Sequence, residues 1–314
     1  MIKQGNNYCA YLGDCVEVTK QLPTDSIHLT VTSVPFANLY TYSDDPRDFS
    51  NVEDLDEFFK QMDYLIPELY RITAPGRIIA LHCKQIPTFK GRDGVMGLID
   101  FRGMLIESFK KHGWTYSGEI TIWTDPQIEA TRTQSASILW NSFKKYAEIT
   151  RTGMADYIVM MRKCEREDEW THVLHESHDD NFKLWTMLAS PCWGIGDITP
   201  QIRRTHVLNS KIAKDDKDEK HMTPLQLDTI HHLIEWFTNP GEIVLDPFAG
   251  VMSTPYEAIR LGRKGIGIEL KQSYFNTGIS FLESVDNVTE TKTLFDFIDE
   301  IENDSIDNMN GGNS

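Results

Sequence analysis

Val244-Leu245-Asp246-Pro247-Phe248-Ala249-Gly250 is the stretch that decides the fold. An apolar run ends in an acid, a turn of small residues follows, and residues 253–261 then read as a helix closed by Gly262. Strand, tight turn and helix in that order bring backbone N–H groups and a helix N-terminus up to a ligand. Nineteen residues past Gly250 stands Glu269, at the end of the next strand candidate, 264–268. A carboxylate there can accept both hydroxyls of a ribose, as in nucleotide-binding α/β folds. The G-x-G-x-x-G pattern of a nicotinamide site is absent.

Working outward, short β-branched runs alternate with helical patterns, which is the signature of an α/β sheet. Residues 26–32 read as a strand ending at Ser33-Val34-Pro35-Phe36. An amphipathic helix over 52–72 carries Leu55, Phe58, Met62, Leu65, Ile66 and Leu69 near helical spacing, with Pro67 as a kink point. Pro75-Gly76 turns the chain into a strand over 77–82. A helix over 101–111 and strands over 119–123 and 156–161 follow. Residues 165–220 are polar, rich in His and Trp, and read as a loop-rich insertion. Thr223-Pro224 has the form of a cap and first helical turn, and the helix runs to Phe237. The expected division is 1–164, an insertion over 165–220, 221–283, and a partly disordered acidic tail over 284–314.

The chain has 314 residues, 40% hydrophobic and 25% charged, which excludes a mostly disordered polypeptide. Its five cysteines contain no Cys-x-x-Cys pair and read as reduced thiols. No signal-peptide core is visible, and no apolar run approaches the roughly 20 residues needed to cross a bilayer. A cytoplasmic, membrane-free protein is the expectation. The net charge of −16 argues against a polyanionic partner until its distribution is considered. From Glu283 onward nine acids face one base, whereas residues 131–166 carry seven bases and three acids. The local patch matters more than the total for phosphate binding.

Asp246-Pro247-Phe248-Ala249-Gly250, its continuation Tyr256-Glu257-Ala258-Ile259-Arg260-Leu261-Gly262 and the later Glu269 closely resemble the cofactor region of the amino-group DNA methyltransferases. Ser33-Val34-Pro35-Phe36 resembles that family's catalytic tetrapeptide, Asp/Asn/Ser-Pro-Pro-Tyr/Phe, with Val34 in place of the first proline. The resemblance implies a Rossmann-like α/β fold and S-adenosylmethionine as cofactor. It implies methyl transfer to cytosine N4 or adenine N6 of a flipped base in DNA. Because the catalytic motif precedes the cofactor motif, it also implies the circularly permuted order of the family's β group, with target recognition in the insertion between them.

Carried over residue by residue, the resemblance makes the Ser33 hydroxyl and Val34 carbonyl acceptors for the two amine hydrogens. Pro35 shapes the turn, and Phe36 stacks on the base. Asp246, Pro247, Phe248, Gly250 and Glu269 form the cofactor loop. Asp14 of Gly13-Asp14 approaches the cofactor adenine, and Thr223-Pro224 matches the helix start upstream of that loop. Tyr40 and Tyr42 are available for stacking, and Arg132, Arg203 and Arg204 are candidate DNA contacts. A second departure is Val251-Met252-Ser253-Thr254, where many members carry Ser-Gly-Thr after the loop glycine. Tyr40 to Asp48, Ile122 to Pro126 and Ala130 to Thr133 are similar to prophage-type members.

Several alternatives stay open. The two departures leave room for a catalytically impaired DNA- or cofactor-binding relative, or for an RNA methyltransferase. Ser33 with Phe36 leans toward cytosine N4. A homodimer, a restriction partner and the recognition sequence are not legible. His172, His175 and His178 read as polar loop histidines, so no metal is expected. Pro191-Cys192 lies outside the strand context that cytosine-C5 chemistry needs.

Overall fold

The computed structural model describes residues 1–35, 49, 55–133, 135–175, 179–210 and 224–290. Phe36, Tyr40, Tyr42, Thr223, His178 and most of the acidic tail lie outside the described residues, as does the Arg132 side chain.

In chain order the elements are β1 (Ile2–Gln4), β2 (Tyr8–Leu12), α1 (Cys15–Thr19), β3 (Ile27–Ser33), α2 (Leu55–Ile72), β4 (Thr73–Cys83) and β5 (Ile86–Thr88). Next come α3 (Lys90–Asp93), β6 (Gly97–Ile99), α4 (Phe101–Lys111), β7 (Thr115–Ile122), α5 (Pro126–Thr133), α6 (Trp140–Lys145) and β8 (Asp156–Arg162). The last are α7 (Asp179–Leu188), β9 (Cys192–Trp193), α8 (Leu227–Phe237), β10 (Ile243–Asp246), α9 (Ser253–Arg260), β11 (Lys264–Glu269) and α10 (Gln272–Glu290). No helix among the described residues is long and apolar enough to cross a membrane.

Nine of the described strands form one sheet in the order β1-β2-β11-β10-β3-β4-β8-β7-β9. β2, β11, β10, β3 and β4 are mutually parallel, while β8 runs antiparallel to both β4 and β7. Both faces are covered, so the central strands β3, β4 and β10 are buried at nearly every position. Ile79, Leu81 and Cys83 of β4 join α2 and α4 in one core. The alternate residues Ile78 and Ala80 join Leu29, Val31 and the α8 residues Ile230, Leu233 and Ile234 in the other.

Two elements depart from the sequence reading, while α2 ends at Ile72 as expected, with Pro67 inside it. The helix expected from Thr223-Pro224 begins at Leu227, where the extended Gln226 precedes it and the Leu227 N–H donates to the His206 carbonyl at 2.9 Å. Part of the 165–220 stretch belongs to the sheet: Cys192 and Trp193 pair with Thr121 and Ile122 of β7, and Trp193 is fully buried.

Candidate active site

The carboxyl ends of the five parallel strands share one edge of the sheet. Leu12, Glu269, Asp246, Ser33 and Cys83 are their last residues. β10 and β3 are neighbours although more than two hundred residues separate them, with Val244 opposite Leu29 and Leu245 opposite Thr30. From this seam β11 continues to one side and β4 to the other. A crevice at such a switch point is where open α/β sheets bind ligands. The pocket there is lined by Asp14, Ser33, Val34, Pro35, Pro224, Asp246, Pro247, Phe248, Gly250 and Glu269 together. It therefore unites the described residues of both sequence motifs.

Asp246 is the link between the two halves. Its carboxylate accepts the Thr32 hydroxyl at 2.6 Å, the Thr254 hydroxyl at 2.9 Å and the Phe248 N–H at 3.0 Å. Thr254 also donates to the Val31 carbonyl at 3.2 Å. Burial pushes the Asp246 carboxyl up to about 6, and these three donors oppose the shift. Asp246 thus shapes the loop and ties β10 to β3.

Glu269 performs the corresponding task for the loop glycine. Its two oxygens accept the Gly250 N–H at 2.8 Å and the Lys271 N–H at 2.7 Å. Gly250 has φ +54°, a conformation open to glycine at little cost. The Gly13 N–H donates to the Glu269 carbonyl at 2.9 Å, which brings the Gly13-Asp14 turn alongside. Asp14 in turn caps α1, accepting the N–H groups of Val16 and Glu17.

A carboxylate offers about four acceptor positions, so Glu269 can receive ribose hydroxyls as well as the two loop N–H groups. Phe248 and Ile268 supply apolar wall, and Asp14 and Glu269 supply acceptors. This donor set fits a nucleoside carrying an adenine, a ribose and a cationic tail.

Both departures from the family pattern have a physical compensation here. Met252 adopts φ 66°, ψ 35°, where a glycine would sit unstrained. Its side chain is fully buried, packed where a Cβ on Gly267 would come within 2.3 Å of its sulfur and one on Gly278 within 2.4 Å of its Cγ. The left-handed conformation costs about 1–2 kcal/mol, and burying a methionine returns about 1.5–3 kcal/mol. Val34, standing where proline would stand, has an N–H, which donates to the His82 carbonyl at 3.0 Å. Proline could not make that bond. Val34 thereby extends the pairing of β3 with β4, and its side chain is buried in the core.

The N6/N4 DNA methylase family model matches residues 27–280. The chain belongs to that family. Type II methyltransferase M.BglII of Bacillus subtilis is 24% identical over 295 residues, spanning 90% of this chain and 72% of that protein. A DNA modification methylase of Thermus thermophilus, crystallised with S-adenosyl-L-methionine, superposes with a TM-score of 0.59 at 21% identity, covering 88% of this chain and 93% of that one. The cytosine-N4-specific PvuII DNA methyltransferase superposes with a TM-score of 0.56 at 16% identity, over 90% and 93% of the two chains. The protein is an S-adenosylmethionine-dependent DNA methyltransferase acting on an amino nitrogen, with the Rossmann-like fold expected of it.

The remaining residues singled out in the sequence fall elsewhere in the methylase. The Arg203 guanidinium bonds Asp228 of α8, with His206 beside it. Arg204 is half-buried nearby. Two of the bases of 131–166 are engaged within the protein. The Lys163 ammonium is buried against Asp25 and the carbonyls of Tyr70 and Thr73, and Arg166 pairs with Asp25. Cys192 lies in β9 at the sheet's end and does not line the pocket. Sequence reasoning missed Thr32, Thr254 and His82. The signal was present: each is a polar residue at the end of an apolar strand or the start of a helix flanking the two motifs.

Proposed function

We propose that the methylase modifies cytosine N4, with Ser33 and Val34 as the amine acceptors and Glu269, Asp14, Phe248 and Gly250 as the cofactor cradle. The observation that carries this reading is the presence of Ser33 in the same pocket as Asp246 and Glu269. Bound S-adenosylmethionine supplies a methyl group activated by a sulfonium. An exocyclic amine is a poor nucleophile because its lone pair is conjugated with the ring. Ser33 Oγ and the Val34 carbonyl each accept one amine hydrogen, which turns the lone pair out of conjugation and toward the methyl. Phe36 stacks on the extruded base, which leaves the duplex to reach the pocket. The choice of cytosine over adenine rests on the family resemblance, in which serine first and phenylalanine last in the tetrapeptide lean toward cytosine N4.

DNA would lie along the sheet edge that carries Ser33. β7 runs parallel to β4, so its end at Ile122 shares that edge, and residues 123–155 leave from there. This connection exposes Trp140, Phe143 and Tyr146, each more than half accessible. Trp140 and Phe143 stack at 5.6 Å, and the Lys144 ammonium lies 5.8 Å from the Trp140 ring. A second exposed pair, Phe182 and Trp185, sits on α7 just before β9. Exposed aromatic rings beside lysines suit contact with unstacked bases and backbone. Arg132, Arg204, Tyr40 and Tyr42 remain in this proposed contact set. The 165–220 stretch contributes to target recognition through α7.

Nucleoside mass spectrometry of DNA from Escherichia coli expressing the chain tests the proposal. N4-methyldeoxycytidine above the vector control is the expected result. N6-methyldeoxyadenosine in its place would move the assignment to adenine. Methylation confined to RNA would overturn the DNA reading of the site.

A further inference from the structure

The tetrapeptide does not stand alone at the end of β3. Ser33 and His82 are register partners on the parallel strands β3 and β4. Ser33 Oγ lies 2.9 Å from His82 Nδ1, and the Val34 N–H donates to the His82 carbonyl at 3.0 Å. One residue thus holds the side chain of the first acceptor and the backbone of the second. His82 is buried. On the far side of its ring, Nε2 faces Asp156 Oδ1 at 3.9 Å, and the Lys84 ammonium sits 2.5 Å from the same oxygen.

We propose that His82 is a positioning residue for methyl transfer, its Nδ1 accepting the Ser33 hydroxyl hydrogen so that the Ser33 oxygen presents its lone pairs to the target amine. This deepens the assignment of Ser33 as an amine acceptor and rests on it.

The chemistry requires a neutral ring with its proton on Nε2. A hydroxyl free to rotate can aim its own hydrogen at the amine, which repels the group it must bind. An acceptor behind the hydroxyl removes that orientation. Burial, reinforced by the Lys84 charge, depresses the imidazole to about 3, so the ring is neutral at working pH. The Asp156 carboxylate on the Nε2 side favours the proton there, because which ring nitrogen is protonated follows from what the other side faces. Nδ1 is then left as an acceptor toward Ser33. No proton has to leave the ring during the reaction; His82 acts by fixing a rotor.

Three variants of the full-length methylase separate this role from a structural one. His82→Leu keeps bulk without an acceptor, and His82→Asn restores an acceptor near the Nδ1 position. Ser33→Ala tests the underlying site. The single-turnover rate of His82→Leu is expected to fall at least tenfold, with cofactor affinity and the KM for DNA within about twofold of wild type. His82→Asn is expected to recover to within about threefold of wild type. Nitrogen-15 spectra of the labelled ring should show an unprotonated Nδ1 and a protonated Nε2 at neutral pH. If Ser33→Ala is inactive yet His82→Leu turns over at the wild-type rate, the positioning role is wrong. It is equally wrong if His82→Asn is as slow as His82→Leu, or if the ring carries its proton on Nδ1. An active Ser33→Ala would instead remove the site assignment itself.

Discussion

Replacing Ser33 with alanine is expected to slow methyl transfer by about 100-fold or more while cofactor affinity stays within about twofold. The magnitude follows from what removal of one preorganised hydrogen-bonding group costs in other active sites, about 10²–10³ in rate. Ser33 ends β3 at the seam, and its hydroxyl is fixed by His82 rather than by the cofactor loop. The loss should therefore fall on the chemical step and leave the Asp246 and Glu269 network intact. Losing the bond to His82 should cost about 0.5–1.5 kcal/mol of folding stability, too little to unfold a domain with three buried apolar clusters. Single-turnover kinetics beside calorimetric titration with S-adenosylmethionine separates the two effects. A variant retaining a tenth or more of the rate would remove Ser33 from the mechanism.

Glu269→Ala should fail in the opposite way. The carboxylate holds the N–H groups of Gly250 and Lys271, and in the proposed cradle it receives the ribose hydroxyls. Hydrogen bonds to a charged group contribute about 1.5–3 kcal/mol each. Losing two toward the cofactor weakens binding by about two to four orders of magnitude, and the released Gly250 loop adds to the loss. Glu269→Gln keeps an acceptor and should fall between the two. Cofactor titration measures this without any turnover. Near-normal affinity in Glu269→Ala would place the nucleoside elsewhere. The contrast between Ser33 and Glu269 is the useful part: one variant binds and does not react, the other does not bind.

The legible part of this molecule lay in its strands and turns. Asp246 to Gly250 and Glu269 pointed to a ligand crevice, and they line one pocket at the strand ends, because a strand, a tight turn and a following acid have few alternative uses. Residues 26–33 could be read as the second half of the site only through the tetrapeptide. The sequence could not supply the pairing that makes them one site, because β3 and β10 are neighbours with no local signal between them. Thr32, Thr254 and His82 stood beside the motifs, but what each does depends on a partner far along the chain: Asp246, the Val31 carbonyl and Ser33. Charge counting misled over residues 131–166, since a lysine in the sequence does not announce that it is buried beneath carbonyls, as Lys163 is. The two departures from the family pattern looked like losses. In three dimensions Val34 gains a hydrogen bond and Met252 fills space that two glycines leave.

The most direct test is a crystal structure of the methylase with a non-reactive S-adenosylmethionine analogue. The nucleoside should lie against Glu269 and Phe248, and the atom replacing the transferred methyl should sit where an amine held by Ser33 Oγ could approach to about 3–3.5 Å, the separation of a near-attack arrangement. An analogue bound with its reactive end turned away from Ser33, or outside the crevice between β10 and β3, would contradict the union of the two motifs in a single site.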